Sequence, residues 1–202
     1  GYGCVYFAQE MLGRKKQGFE GRRVVISGSG NVAQFAAEKC LELGATVISL
    51  SDSGGTVHIP DGLTSEQLAW CMELKNERHG RIAEFARQFH LPYFDGEKPW
   101  RMACDIALPC ATQNEINQSD AKALVTNGCG CVAEGANMPS DLEAVEVFQA
   151  ADILYGPGKA ANAGGVATSA LEMSQNAVRV PWTRADVDNR LHAIMQNIHN
   201  AC

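Results

Sequence analysis

Two glycines one residue apart, Gly28 and Gly30, followed by Ala33, stand where an apolar run meets an amphipathic one. The apolar run is Arg23 to Ser27. The amphipathic one carries Val32, Phe35, Ala36, Cys40 and Leu43 at helical spacing. Residues of these types at this spacing can bind a pyrophosphate. Gly28 permits a tight turn, Gly30 puts no side chain in the path of a phosphate, and the small Ala33 lets a helix lie close to the preceding strand. The free amides and the positive dipole end of that helix then face the anion. A second apolar run, Thr46 to Leu50, leads to Asp52, which stands 22 residues beyond Gly30. That is close to the ~20 residues expected for a ribose-binding carboxylate. Glycine pairs also serve turns that bind nothing. The strong strand before this pair, the helix that ends cleanly at Gly44 and the acid beyond it together favour a dinucleotide.

The elements that position this turn alternate along the chain. Gly1 to Leu12 becomes helical within a few residues, with Val5, Ala8, Met11 and Leu12 on one side, closed by Arg14, Lys15 and Lys16. Ser53 to Gly62 reads as a turn and short edge hairpin. Thr64-Ser-Glu-Gln67 forms a capping box for a helix to about Glu77, and Ile82 to Phe89 forms another. Tyr93-Phe94 is a brief strand and Asp105 to Pro109 a clearer one. Ser119 to Thr126 is helical, Cys131 to Glu134 is a strand, and Ser140-Asp-Leu-Glu143 is a second capping box for a helix to about Ala151. The strand Ile153 to Tyr155 and a glycine-rich turn, Gly156 to Gly165, lead to a long helix with the stripe Val166, Ala170, Met173 and Ala177. The last helix buries Val187, Leu191, Ile194, Met195 and Ile198. Such alternation predicts a doubly wound, Rossmann-like α/β fold, its mostly parallel sheet covered by helices on both faces, and one domain over residues 1–202.

Composition narrows the classes of function. A net charge of −6 argues against a nucleic-acid partner. No apolar run approaches the ~18 residues of a membrane span and no signal-peptide pattern opens the chain, so a cytoplasmic protein is expected. The eight cysteines include no Cys-x-x-Cys pair and no zinc-like spacing with histidine, so they are read as reduced and structural, with no metal site. The abrupt start, without an initiator Met, reads as an excised domain.

In open α/β sheets ligands lie beyond the carboxyl ends of the strands, and four loops there are unusually small and polar. They are Gly28-Ser29-Gly30-Asn31, Pro109 to Glu115, Gly135-Ala136-Asn137-Met138-Pro139 and the glycine-rich turn. Small residues let a flat ring rest on the backbone, while Thr112, Gln113, Asn137 and Asn162 can hydrogen-bond a ribose or carboxamide. Any one of these residues suits a turn for its own sake, but four such loops at one edge indicate a ligand.

The segments Ser27 to Ala33, Leu108 to Glu115, Ala133 to Pro139 and Lys159 to Ser169, in this order, resemble the coenzyme domain of hexameric bacterial glutamate dehydrogenases. The resemblance covers essentially the whole chain. It implies reversible oxidative deamination of L-glutamate to 2-oxoglutarate and ammonia by hydride transfer to a nicotinamide. It also implies that the catalytic lysine and aspartate belong to an N-terminal substrate domain absent here, so this chain alone is not expected to turn over and no catalytic residue is assigned to it. By the same resemblance, Gly28, Ser29, Gly30, Asn31 and Val32 hold the pyrophosphate and Asp52 and Ser53 the adenosine ribose. Ala111, Thr112, Gln113 and Asn137, with Gly135 and Ala136 of the same loop, line the ribose and nicotinamide. Asn162, Val166 and Ser169 form a wall of the substrate pocket, with Asn162 also reaching the cofactor. The whole enzyme is expected to be a homohexamer and this fragment a monomer or weak dimer.

Asp52 alone favours NAD, because a carboxylate repels a 2′-phosphate. Lys75, Arg78 and Arg81 lie just downstream, however, and read either as a solvated helix end or as groups folding over the adenosine. The Ser51-Asp52-Ser53 sequence with these downstream bases resembles the NADP-linked members, so NADP is expected, with Lys75 and Arg78 at the phosphate and NAD as the alternative. The competing functions are the coenzyme domain of another amino-acid dehydrogenase, which the hydroxyl of Ser169 disfavours, and a non-catalytic nucleotide-binding module.

Overall fold

The computed structural model describes residues 1–178 and 182–202. Its seven-stranded sheet has the order β4-β3-β2-β1-β5-β6-β7. The strands are β1 (Arg23–Ile26), β2 (Thr46–Asp52), β3 (Gly55–His58), β4 (Tyr93–Asp95), β5 (Ile106–Leu108), β6 (Cys131–Ala133) and β7 (Leu154–Gly156). β1, β2, β5, β6 and β7 run parallel, and β3 and β4 add an antiparallel edge. β1 is central. The chain leaves it first toward β2 and later returns on its other side at β5, so the loops that follow β1 and β5 diverge and open a crevice between them. The architecture is a Rossmann-like α/β fold.

The pleat explains why the strands are apolar throughout. Val24 and Ile26 point into one core layer and Val25 into the other; Ile106 and Leu108 oppose Ala107, and Cys131 and Ala133 oppose Val132. The first layer lies under α1 (Tyr2–Arg14), α2 (Asn31–Glu42), α3 (Ser65–Asn76) and α4 (Ile82–Gln88), and takes α1 from Cys4 to Ala8 almost whole. The second lies under α5 (Gln118–Thr126) and α6 (Leu142–Ala150) and is filled by Trp100, Ile116, Leu124 and Phe148.

Three local expectations are corrected. The buried face of α2 is Ala33, Ala36, Ala37 and Cys40, whereas Val32 and Phe35 are exposed, because a helix drawn close to the sheet seats its smallest residues inward. The helix after Pro139 is capped by Asp141, which accepts from the Ala144 amide at 2.7 Å, and not by Ser140. The stripe of α8 (Gly164–Val178) is not buried as its apolar character suggested, since Val166 and Met173 are 78% and 73% exposed; the Ala177 side chain lies outside the described residues. α8 meets α1 through glycines. A Cβ on Gly164 would stand 2.8 Å from Gly3 Cα, so it is the bare start of this helix that packs. By contrast the Thr64–Gln67 box forms as expected, and α9 (Arg184–Ala201) buries Leu191 and Met195 along the expected stripe, with His199 beside them.

Glu134, at the end of β6, joins two of the polar loops. It is 2% exposed and accepts from Tyr155 Oη at 2.8 Å, Gly158 N at 2.7 Å and Ser140 N at 3.3 Å. Glu134→Ala leaves the half-buried Tyr155 hydroxyl and the buried Gly158 amide without acceptors, and is expected to cost about 2–4 kcal/mol. A shift of the urea midpoint at unchanged slope measures this; a midpoint equal to that of the parent contradicts it.

Candidate functional site

The turn after β1 is held by side chains that the glycine pattern does not reveal. Ser51 Oγ accepts from Gly28 N at 2.8 Å, Ser27 Oγ accepts from Cys110 N at 2.9 Å, and Ser49 Oγ both accepts from Ile26 N and donates to Ile26 O. These serines bridge β1 to its neighbours, one of them just where the β1–β2 register shifts. Gly28 has φ +85°, and a Cβ there would lie 3.0 Å from Cys110 O, so both conformation and space require glycine. Gly30 differs. Its φ of −81° and ψ of −174° suit any residue, and a Cβ on it would meet nothing within 4 Å. The fold does not need glycine at this position, whereas a ligand lying against the backbone does.

Gly30 is the N-cap of α2, which begins with no capping side chain and no acidic residue in its first turn. The amides of Asn31, Val32 and Ala33 therefore lack intrahelical acceptors at the positive end of the helix dipole. Those of Asn31 and Val32 open on a cleft of about 660 Å³ lined by Gly28 to Val32, Ser51 to Ser53, Lys75, Ala111, Thr112 and Glu115, among others. A second depression of about 520 Å³ shares Val32, Cys110, Ala111 and Thr112 with the first and continues over Gln113, Gly135, Ala136, Asn137 and Asn162. The two form one trough across the carboxyl ends of the strands. Gly135 packs directly on Cys110 in its floor, since a Cβ there would stand 2.6 Å from Cys110 Sγ. At its far end Asn162 Nδ2 donates to Asn137 Oδ1 at 2.6 Å and to Ala136 O at 3.3 Å, tying the loop after β6 to the end of α7 (Gly158–Ala161).

Most of the residues singled out in the sequence thus line one surface. Three lie elsewhere. Arg78 pairs with Glu84 at 3.6 Å and sits over the Trp70 ring, away from the trough. Arg81 stands in its place, with Nη1 donating to Ser53 Oγ at 2.7 Å. Val166 projects from α8 to the exterior. Ser169 donates to Gly165 O and borders a separate cavity of about 690 Å³ between α1, α2, α8 and α9.

The environment of Asp52 departs from that of a ribose acceptor. Its Oδ1 accepts from Gly54 N at 2.8 Å, its Oδ2 accepts from Ile82 N at 2.9 Å, and Lys75 Nζ lies 3.6 Å from Oδ2. The carboxylate is spent on holding the hairpin turn and the start of α4, and its charge is matched by Lys75. What this end of the trough presents outward is the Ser53 hydroxyl with Lys75 and Arg81 around it.

Glu115 is the residue that the sequence reading passed over. It closes the loop after β5, is 9% exposed, and its Oε1 accepts from Ala111 N at 3.1 Å and Thr112 N at 3.3 Å. An acid four residues beyond Ala111 in a glycine-free loop was the available signal. Burial pushes its carboxyl above the ordinary range, against the opposing pull of the Ser27 hydroxyl and the two amides. A carboxyl whose folded value exceeds its unfolded one favours folding while protonated, and that advantage is lost as pH rises through the folded value. Glu115→Gln is therefore expected to be at least as stable as the parent at neutral pH, by a margin that shrinks as pH falls into the carboxylate range. Its uncharged acceptor holds the loop amides less firmly, so dinucleotide affinity should fall about three- to tenfold. Denaturant titrations at two pH values and a binding isotherm check both parts. A variant less stable at neutral pH, or one with unaltered affinity, contradicts the assignment.

Cys110 borders both depressions, but burial drives its thiol well above the usual value, which leaves it an apolar wall and not a nucleophile. The remaining lining of the second depression is apolar, amide or hydroxyl. This trough can bind and orient a flat ring; it offers no side chain there to relay protons at neutral pH. Among the described residues, no group of three or more His, Cys, Asp or Glu is placed to hold a metal, and no helix is long and apolar enough to cross a membrane.

The chain is similar along its whole length to known proteins. The family model for glutamate/leucine/phenylalanine/valine dehydrogenase matches residues 1–202. The NADP-specific glutamate dehydrogenase of Haemophilus influenzae is 57% identical over 202 residues, which is 100% of this chain and 45% of that protein. The Escherichia coli enzyme of the same description is 58% identical, with the same coverage of both chains. The crystal structure of Plasmodium falciparum glutamate dehydrogenase matches with a TM-score of 0.97 at 49% identity, covering 100% of this chain and 43% of that one. The chain thus spans less than half the length of these relatives.

Proposed function

The chain belongs to the glutamate/leucine/phenylalanine/valine dehydrogenase family, and from that membership we propose that residues 1–202 are the dinucleotide-binding domain of an NADP-linked glutamate dehydrogenase. The observation that carries the cofactor part is the uncapped start of α2 behind Gly30, at one end of a trough whose other end is ringed by small residues and amides. Nicotinamide dinucleotide, when bound, supplies the hydride acceptor and donor. The chain's own part is to hold it. The amides of Asn31 and Val32, with Ser29 beside them, take the pyrophosphate. Ala111 and Thr112, set by Glu115, support the ribose. Gln113, Gly135, Ala136 and Asn137 flank the carboxamide end, with Asn162 bridging to the substrate side.

At the adenosine end, Asp52 is occupied by the Gly54 and Ile82 amides and neutralised by Lys75. This favours NADP over NAD: the carboxylate no longer repels a 2′-phosphate, and Ser53, Lys75 and Arg81 can receive it. Arg78 is relieved of the role. Asn162, Val166 and Ser169 form this chain's wall of the substrate pocket, where the Ser169 hydroxyl suits the side-chain carboxylate of L-glutamate or 2-oxoglutarate better than an aliphatic side chain. Exposed Val166 and Met173 then face the rest of the enzyme, which contributes the groups that move protons. The whole protein acts as a homohexamer in the cytoplasm.

The test uses two samples. The intact longer protein is expected to form NADPH in a glutamate-dependent way, and the 202-residue chain to bind NADPH without turnover. Cofactor binding with no glutamate-dependent reduction in the intact protein overturns the reading, as does a chain that binds neither nucleotide.

A further inference from the structure

We propose that Cys104 and Cys129 form a dithiol at the end of the sheet opposite the trough, which a peroxide closes to an intrachain disulfide. The pairing follows from the register. β5 and β6 pair in parallel with Ile106 beside Cys131 and Ala107 beside Val132. The same offset continues below the strands, where Gly130 N donates to Asp105 O at 2.9 Å. One step further back it brings Cys104 beside Cys129. Neighbouring strands lie ~4.8 Å apart, inside the ~4.4–6.8 Å Cα window that a disulfide spans. Both side chains enter the second core layer, so they point to the same face of the sheet.

Cys129 Sγ donates to Cys131 O at 3.3 Å. The neighbouring Cys104 thiol holds Cys129 below the ordinary thiol range, while Cys104 itself is raised. Each residue keeps 5% of its surface in solvent; Cys110 keeps 6% but lies at the other end of the sheet, Cys4 keeps 2%, and Cys40, Cys71 and Cys131 keep none. Burial raises the thiols of Cys4, Cys40, Cys71, Cys110 and Cys131. Cys129 is therefore the attacking group and Cys104 the resolving one.

The chemistry balances in two steps. The Cys129 thiolate attacks hydrogen peroxide, breaking the O–O bond to give Cys129 sulfenic acid and hydroxide. The Cys104 sulfur then displaces hydroxide from the sulfenic acid, forming the S–S bond and releasing its proton. Two thiols lose two electrons and one peroxide becomes two waters.

The chain, treated with hydrogen peroxide and digested with trypsin without reduction, is expected to yield Met102–Lys122 linked to Ala123–Lys159. The same digest of the Cys104→Ser chain and of the Cys129→Ser chain should lack the link, and that of the Cys110→Ser chain should retain it. Because a buried serine can disturb folding, Cys104→Ala and Cys129→Ala are run in parallel, each checked by thermal unfolding. Fragmentation should place the bond on Cys104 and Cys129 and not on Cys110 or Cys131. Exposed Cys202 serves as the internal control. If Cys202 is oxidised while no linked pair forms, or if the link survives loss of Cys104 or Cys129, the proposal fails.

Discussion

Gly30→Asp is expected to make this protein more stable and to abolish its affinity for the dinucleotide. The two effects have one cause. Gly30 already holds the extended backbone of a helix N-cap, φ −81° and ψ −174°, with open space where a side chain would go. An aspartate fits without strain, accepts from the free amides at the start of α2 and places a negative charge at the positive end of the helix. These gains sum to about 0.5–1 kcal/mol. The same carboxylate fills the place proposed for the pyrophosphate and repels it, removing several charge-assisted hydrogen bonds at once. Affinity should fall by at least ~100-fold, since such bonds contribute ~1.5–3 kcal/mol each. A thermal melt and a calorimetric titration of the same preparation read both. A variant that is destabilised and loses binding would merely be damaged. One that is stabilised and still binds NADPH would place the phosphates elsewhere.

The second large effect concerns the choice between nucleotides. Arg81→Ala removes the guanidinium that reaches Ser53 from an exposed position, so little folding stability is at stake. NADPH affinity is expected to drop about tenfold and NADH affinity to stay as it was. Adding Lys75→Gln removes the second positive group, and the ratio of NADPH to NADH affinity should then fall by about 100-fold relative to the parent. Lys75→Gln also exposes the Asp52 charge, which pushes in the same direction. Arg78→Ala is the contrast: with Arg78 turned toward Glu84 and Trp70, it should leave both affinities within about twofold. Parallel losses for the two nucleotides after Arg81→Ala would remove the 2′-phosphate from this corner, and a loss of NADPH affinity specific to Arg78→Ala would restore the role expected of it from the sequence.

The contrast between Arg78 and Arg81 marks the limit of what could be read from the residues alone. The outline of the turn from Gly28 to Ala33 was legible because it is local, an apolar strand, two glycines, a small residue and a helix, whereas the long-range serine contacts that hold it were not. The alternation of strands and helices and the four polar loops were legible for the same reason, from pattern and composition. Which of two arginines three residues apart meets Ser53 depends on how the chain leaves α3 through Gly80, where a left-handed His79 turns it. Propensity does not encode that path. Asp52 was recognised by its spacing, but its engagement with Gly54 and Ile82 is a long-range matter of where α4 begins. Glu115 was overlooked because an acid in a loop reads as solvated, and only the folded trough shows it facing the amides of Ala111 and Thr112. The outward stripe of Val166 and Met173 failed in the opposite way: helical periodicity reports an apolar face correctly and says nothing about whether this chain or another part of the protein covers it.

The central claim is that a dinucleotide pyrophosphate rests on the first turn of α2. Amide resonances of the isotopically labelled chain, followed during addition of NADPH, test it most directly. The largest saturable shifts are expected on Asn31 and Val32, with smaller ones on Ala111 and Thr112 and none beyond baseline at Cys104 or Cys129. Shifts that cluster elsewhere while the amides at the start of α2 stay still would contradict it.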